Sequence, residues 1–446
     1  MCEKVSTKRE LIENYLSFFY NNAMKRIDYI LDFCKELAKQ MIVCGANIER
    51  VDLCIEHLCH AYGLHDVTCA NLTTRISISA KDEDKNYAHR QTDIPPQAFN
   101  LERLKKLNHL YYHVKETTPD EKTLYDLRHA VKSNDFSWWI MLGGYLIAMA
   151  ALARIFLAGP AELLITELNT VILFFLGKLA TKIRLNKIVT NFVCMLLCSM
   201  IAILFFALGF INNFYIVIIT NAFFLIPGIQ MVNCARNLLC GNEMNGVIDL
   251  LKVLLEVCTI VAGMAAAYAM LGKLAGELLI QDFITALGQN SLLRSFELVG
   301  LSFIASAGFG IVFNIQWKDL VYAAIGGMIV RIVYISLQAA LPTYRFVFTI
   351  VAAFCAALYS EILALVKKEP SVLYRYPSII PLIPGDLFFY VAAGIIWGNT
   401  DLIAEHGPTF GLVLIGISLG FVLCSTIVHY IRKFKFLRNA NDEVKK

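Results

Sequence analysis

From Trp138 to about Tyr430 the chain is a succession of apolar runs, each long enough to cross a bilayer. In hydrocarbon every backbone N–H and C=O must find a partner within the protein, so such runs fold as helices, not as irregular segments or open sheets. A helix needs about 20 residues to cross a core of ~30 Å. Ten runs qualify: residues 138–157, 163–180, 188–208, 214–234, 247–271, 296–315, 320–340, 346–366, 378–397 and 410–431. They form two groups of five, residues 138–271 and 295–431, on either side of a polar stretch at 281–294. With 57% hydrophobic and 17% charged residues, the chain is too apolar for an ordinary soluble protein.

Two of these runs are broken in the same way. Leu225-Ile226-Pro227-Gly228 interrupts the fourth, and Leu382-Ile383-Pro384-Gly385 interrupts the ninth. In both, a Gly-Asn pair begins 13 residues after the glycine of Pro-Gly, at Gly241-Asn242 and Gly398-Asn399. Thirteen helical residues rise roughly 20 Å, about two-thirds of the hydrocarbon core. With Gly-Asn at a membrane surface, each Pro-Gly lies deep in the bilayer. Proline lacks the N–H and clashes with the preceding turn, and glycine loosens the chain. Backbone freed at that depth is tolerated only where protein buries it or it lines a cavity. A single break reads as a packing kink. Matched breaks in two halves point to a transporter's binding site, which makes Pro227, Gly228, Pro384 and Gly385 candidate site residues.

Basic residues set orientation. Lys182, Arg184 and Lys187 follow the second run, Arg236 and Lys252 flank the loop after the fourth, and Lys318 follows the sixth. Lys367, Lys368 and Arg375 follow the eighth, and Arg432, Lys433, Lys435 and Arg438 lie in a basic tail at 432–446. The alternate loops hold acids or nothing, with Lys273, Arg294 and Arg345 as minor exceptions. This pattern predicts a multi-pass protein of the cell membrane with both termini in the cytosol. Five spans per half is an odd number, so the second half enters from the other side and the halves form an inverted pair. The net charge of +4 speaks for orientation in a lipid bilayer, not for nucleic-acid binding.

Residues 1–135 differ in kind, being rich in Lys, Arg, Asp and Glu. Their polar start, MCEKVSTKRE, has no signal-peptide pattern. Ile27, Ile30, Leu31, Cys34, Leu37, Ala38 and Met41 recur at helical spacing until Cys44-Gly45-Ala46-Asn47 breaks it. There Gly45 suits a helix C-terminus and Asn47 an N-cap. Ile48, Val51, Ile55, Leu58, Cys59 and Tyr62 mark a second helix ending at Gly63. Thr74 to Ala80 alternates like a half-buried strand, with a second strand expected through Tyr87 to Thr92. Helices are expected near 101–115 and 120–133. The segment therefore reads as a cytosolic α+β domain. Thirteen cysteines without paired spacing fit a reducing compartment, not a disulfide framework.

Cys54, His57, Cys59 and His60 do not share one helix face, so packing accounts for them better than a metal site does. Arg75, Ser77 and Ser79 share a strand face that can meet an anion but more readily meets water. There is no Ser-His-Asp order, no Walker loop and no carboxylate pair. Neither an enzyme nor a cofactor is expected.

Two charges stand at membrane depth. Arg331 lies near the centre of the seventh run, and Asp386 directly follows the second Pro-Gly. A lone charge near the midplane costs at least ~2.5–3.5 kcal/mol, so it faces a cavity or a partner. Asp386 falls in the first turn of a half-helix, where free N–H groups favour an anion. It is the candidate to carry a proton or meet a substrate ammonium. Arg331 either holds a substrate carboxylate or pairs with Asp386. Gln230 and Asn233 lie about a turn past the first break and suit either a small polar substrate or a neighbouring helix. Glu361 and Lys178, nearer the cytosolic ends, suit snorkelling.

Several stretches together resemble the threonine/serine exporter family. Gly45-Ala46-Asn47-Ile48-Glu49-Arg50-Val51-Asp52 is similar to its Gly-Ala-x-x-x-Arg-Val-acid opening. Asn100-Leu101-Glu102-Arg103-Leu104 with Asn108 and Leu110 is similar to its Asn-Leu-Glu…Asn-x-Leu segment. Ile226-Pro227-Gly228, Arg236 to Asn242 and Gly246 resemble its Pro-Gly…Arg-Asp-Leu…Gly-Asp…Gly signature. Pro381 to Gly385 with Phe388, Phe389 and Tyr390 resembles its second motif, Pro-Leu-Val-Pro-Gly…Tyr. The match covers almost the whole chain, with both membrane halves fused. Asn237 and Asn242 stand where the family has Asp, and Asp386 where Gly or Ser is more familiar. The resemblance implies a ten-span secondary exporter of small hydrophilic metabolites.

The combined expectation is an α-helical polytopic membrane protein of ten spans, arranged as two five-span inverted repeats. It exports threonine or serine on the proton motive force and leaves room for an oligomer. Its expected site is Pro227, Gly228, Gln230, Asn233, Arg331, Pro384, Gly385 and Asp386. The alternatives are a succinate-type dicarboxylate exporter and a membrane-anchored cytosolic enzyme or sensor.

Overall fold

The apolar stripe from Ile27 to Met41 is the buried face of helix α1 (Arg26–Val43), where each residue of the stripe is at most 2% exposed. A computed structural model describes residues 26–116, Leu127, 135–275 and 291–444, and its backbone divides into two units, Met1–Ser133 and Asn134–Lys446. Apart from Leu127, the helix expected at 120–133 lies outside the described residues, as do residues 281–290 of the polar stretch.

In the first unit α1, α2 (Ile48–Ala61) and α3 (Leu101–Glu116) pack together and against a three-stranded antiparallel sheet. The sheet order is β1 (His65–Cys69), β2 (Arg75–Lys81), β3 (Tyr87–Asp93). β2 buries Ile76, Ile78 and Ala80 alternately, which fixes its register against β3 from Arg75↔Asp93 to Lys81↔Tyr87. Arg90 of β3 clamps the sheet to α1 by reaching Asp28 at 2.7 Å and Asp32 at 3.1 Å. Gly45 turns the chain after α1 at φ 100°, where a side chain would be strained. Asn47 occupies the N-cap of α2 in extended conformation, but its amide goes to Glu49 instead of capping the helix. β1 has no counterpart in the sequence reading. It is short, its pairing slips between His65 and Thr68, and it buries no full face, so no period of two marks it.

The second unit is helical. Eight helices are long and apolar enough to cross a membrane: α4 (Trp138–Ile155), α5 (Pro160–Lys182), α6 (Lys187–Ala207), α9 (Glu243–Ala275), α10 (Leu292–Val312), α11 (Trp317–Ala340), α12 (Arg345–Lys367) and α15 (Thr400–Val444). Two further helix pairs qualify only when joined. One is α7 (Phe214–Leu225) with α8 (Gly228–Leu239), bent by 58°. The other is α13 (Val372–Ile379), with its 3₁₀ extension Ile380–Leu382, followed by α14 (Gly385–Trp397), bent by 51°. The described residues therefore hold eight to ten candidate spans of a polytopic membrane protein. α13 begins before residue 378, where the ninth apolar run was expected to start. Its polar first turns are buried because Arg375 finds Glu361 of α12 at 2.7 Å.

The two membrane halves keep step with each other. The step of 157 residues that carries Pro227 to Pro384 also carries the first residue of α5, Pro160, to the first of α11, Trp317. It carries Gly228 of α8 to Gly385 of α14, and Glu243 of α9 to Thr400 of α15. Single residues follow. Leu157 and Asn314 are both left-handed, at φ 67° and 61°. Glu162 and Asp319 are both buried acids in the first turn of their helices. Glu162 accepts the backbone N–H groups of Asn212 and Asn213, just before α7. Asp319 accepts from Lys367 Nζ and from the Tyr374 hydroxyl, at the end of α12 and in α13. In each half a buried acid thus ties down the entry to the broken helix.

Candidate functional site

Both Pro-Gly breaks have one local structure. Ile226 is extended at φ −62°, ψ 126°, and Ile383 matches it at φ −61°, ψ 124°. Pro227 follows at φ −77°, ψ 57°, and Pro384 at φ −80°, ψ 68°. The N–H of Gly228 donates to Ile226 O at 2.8 Å, and that of Gly385 to Ile383 O at 2.9 Å. This is an inverse γ-turn at each proline, with the fixed proline φ preset for it. The helix resumes at once, as Met231 N donates to Pro227 O and Phe388 N to Pro384 O. Each half-helix ends on a left-handed glycine, Gly241 at φ 82° and Gly398 at φ 65°.

The two breaks meet. A Cβ at Gly228 would stand 2.7 Å from Ile383 Cδ1, and one at Gly385 would overlap the Phe223 ring. Gly228 and Gly385, each next to its proline, thus pack directly on a side chain of the other half. Arg331 joins them from α11, donating Nη2 to Pro381 O at 3.1 Å and Nε to Ser302 Oγ at 3.0 Å. It therefore satisfies a carbonyl just before the second break, and its Cζ lies 5.8 Å from the Tyr334 ring. A guanidinium has five N–H donors, so donors remain for a ligand. Asp386 is in the first turn of α14, but its partner is Arg345 of α12, at 3.0 Å, and not Arg331. Asn233 donates to the Tyr376 hydroxyl at 3.4 Å, linking α8 to α13. Gln230 is half-buried and makes no side-chain hydrogen bond among the described residues.

The first half handles the same positions differently. The step of 157 relates Tyr145, Phe174 and Phe224 to Ser302, Arg331 and Pro381. In the first half they form an aromatic cluster, with Tyr145 stacked on Phe224 at 4.3 Å and beside Phe174 at 5.9 Å. In the second half they form the arginine cradle. A buried polar cluster of the first half lies elsewhere, among α5, α6 and α7. Asn169 donates to Asn221 Oδ1 and Cys198 O, and Asn221 donates to Thr166 O, all fully buried. A small aromatic recess lies between α6, α7 and α9 of one half and α14 of the other. Tyr215, Tyr268, Phe389 and Trp397 line it.

A family model described as threonine/serine exporter matches residues 32–271, and a second, for threonine/serine exporter ThrE, matches residues 298–427. The chain belongs to the threonine/serine exporter family. Comparison with curated proteins gives no match, and comparison with solved structures gives none either. In this exporter-family chain the sequence motifs fold onto one another. Arg50 of the opening motif donates to Asn108 of the second at 2.7 Å. Asp52 accepts from Asn71, whose own oxygen accepts from Ser77 N and so anchors the sheet. Burial holds the Asp52 carboxyl up, at about 6, against the opposing pull of the Asn71 bond. Asn237 donates to Asp249 at 3.2 Å, closing the α8–α9 turn of the signature around Gly246.

The other sequence candidates in the first unit fall to packing. Cys54 and Cys59 are buried, and His57 Nδ1 lies 3.4 Å from the Tyr111 hydroxyl. Arg75 pairs with Asp93 across the sheet at 2.9 Å. Sequence reasoning missed Arg345, Ser302 and Tyr334. Arg345 had left one signal, a cation at a span end whose loop is otherwise poor in basic residues.

Proposed function

We propose that the chain is a secondary exporter of threonine, serine or a closely similar amino acid, driven by the proton motive force. The observation that carries this reading is the meeting of two γ-turn breaks beside Arg331 and the Arg345–Asp386 pair. A zwitterionic amino acid needs opposite charges a few ångströms apart. Arg331 supplies a guanidinium with spare donors for the carboxylate, and Asp386 a carboxylate for the ammonium. Arg345 occupies Asp386 when no ammonium is there, so substrate entry exchanges one cation for another. The pair thereby works as a gate.

The common step of 157 residues and the five-span halves support an inverted repeat when each bent pair counts as one span. Rocking of the halves about the two breaks then exposes the site to each side in turn. The alternation of basic loops supports cytosolic termini in the cell membrane. Transport of labelled threonine and serine by the full chain in liposomes, with and without a pH gradient, tests the reading. Gradient-dependent flux is expected, and no flux of either amino acid would discard it. Succinate belongs in the same assay, because the spare donors of Arg331 also suit a carboxylate without an ammonium.

A further inference from the structure

The membrane unit holds one carboxylate that the site above does not use. Past the outer turn at each end, the described spans carry Glu167, Asp249, Glu256, Glu297, Glu361, Asp386 and Glu405. Asp249 accepts from Asn237, Glu256 from Lys187, Glu297 from Arg154, Glu361 from Arg375 and Asp386 from Arg345. Glu405 is exposed, and of the others Glu167 alone has no partner among the described residues, with its Oε1 sealed from the surface. It is the eighth residue of α5, roughly 10 Å along the helix. An unpaired charge at membrane depth is costly, and carboxylates kept there mark ion and proton pathways.

The surroundings leave Glu167 without a counter-charge. α5 packs against α4, α6 and α7. On α4, Arg154 is engaged by Glu297 and Ala158 O, and Tyr145 is stacked on Phe224. On α6, Lys187 is held by Glu256, while Cys194 and Cys198 are buried. On α7, Tyr215 packs against Phe389 and Trp397. On α5 itself, Glu162 is bonded to backbone N–H groups, Lys178 sits over the Trp138 ring at 4.5 Å, and Lys182 is exposed at the helix end.

Position connects this carboxylate to the moving part. Glu167 is flanked on α5 by Thr166 and Asn169, the residues that bond Asn221 of α7. Asn221 lies five residues before Ile226, where the first break begins. The equivalent contact in the second half is Gly326 against Ser378, and the residue equivalent to Glu167 is Ala324, so no acid stands there. Asp386, by contrast, is paired with the Arg345 guanidinium at 3.0 Å.

We propose that Glu167 is the proton-binding residue that couples transport to the pH gradient. It takes up a proton on its free carboxylate in one orientation of the exporter and releases it in the other, and the Asn169–Asn221 contact passes the change to the first break. This rests on the transport reading above, whereas protonation of Glu167 is measurable without transport.

The test has two arms on the full chain in liposomes. The hydrophobic carbodiimide dicyclohexylcarbodiimide reacts with protonated membrane carboxyls, and mass spectrometry locates the adduct. Labelling at Glu167 that falls at least tenfold from pH 5 to pH 9 is expected, and pH-independent or absent labelling overturns the proposal. In the second arm Glu167→Gln is expected to keep threonine exchange within about twofold of the parent. Its response to an imposed pH gradient should fall at least tenfold, with Glu167→Asp restoring most of it. A normal gradient response in Glu167→Gln overturns the proposal and leaves the transport reading standing. A parent chain that shows no flux, yet labels at Glu167 with the expected pH dependence, overturns the transport reading instead.

Discussion

Gly385 lies against Phe223 with no room for a side chain between them, although the two residues belong to different halves of the membrane unit. A methyl group there must displace an aromatic ring that is itself packed against Phe156 at 5.6 Å. Gly385→Ala is therefore expected to cost about 1–3 kcal/mol in overpacking and to cut transport at least tenfold. Phe223→Leu should restore much of both. Gly228→Ala meets the aliphatic Ile383 side chain, closest at Cδ1 at 2.7 Å, and should be milder. Thermal unfolding in detergent and flux in liposomes check the series, and equal damage from the two alanines would contradict the packing argument.

Arg345 and Asp386 should behave as a coupled pair. Their side chains are 33% and 28% exposed, so the pair is weaker than a fully buried one. Removing either charge is expected to destabilise the chain by roughly 1–2 kcal/mol. Arg345→Gln with Asp386→Asn should recover that stability without recovering transport. Additive losses in the double variant would show that the two groups act independently.

Arg331 makes directional bonds that lysine cannot copy. Nε and Nη2 point to Ser302 and Pro381 O from one planar group. Arg331→Lys is expected to raise the apparent KM for threonine about tenfold, the equivalent of ~1.4 kcal/mol, while the protein still inserts. Ser302→Ala should have a smaller effect in the same direction. Flux measured over a range of threonine concentrations separates KM from maximal rate.

Asp52 makes the stability of the first unit depend on pH. Its folded pKa of about 6 exceeds the model-peptide value of 3.8, so the folded state binds the extra proton between those values. The contribution is fully present below about pH 3.8 and is lost as the pH rises through about 6. Asp52→Asn keeps an oxygen for Asn71 and removes the charge. After discounting for solvent screening, it should stabilise the unit by about 1 kcal/mol at pH 7.5. That gain should disappear near pH 4. Unfolding of both chains at the two pH values decides it.

What the sequence made legible was local chemistry. Proline and glycine dictate a break wherever they stand, so Pro227-Gly228 and Pro384-Gly385 were readable without any partner. Apolar length alone marked the spans, and alternation marked β2. Pairings over long separations were not readable. Nothing in residues 331–386 says that Asp386 meets Arg345 and not Arg331, because either arginine is within a span's reach. The start of α13 was hidden since Tyr374-Arg375-Tyr376 looks polar until Glu361 is brought beside it. Glu167 was passed over as one acid in a run of 23 residues. Its importance lies in having no neighbour, and a sequence cannot display that.

The aromatic cluster of Tyr145, Phe174 and Phe224 and the cradle of Ser302, Arg331 and Pro381 occupy matching places in the two halves. Two separate copies of a single five-span chain, joined as a symmetric dimer, would be forced to carry the same side chain at both. They would present two guanidiniums or none. Covalent fusion removes that constraint, since each copy then mutates alone. One shape can be kept twice while its chemistry is spent only once, so the two halves can offer different groups at matching places.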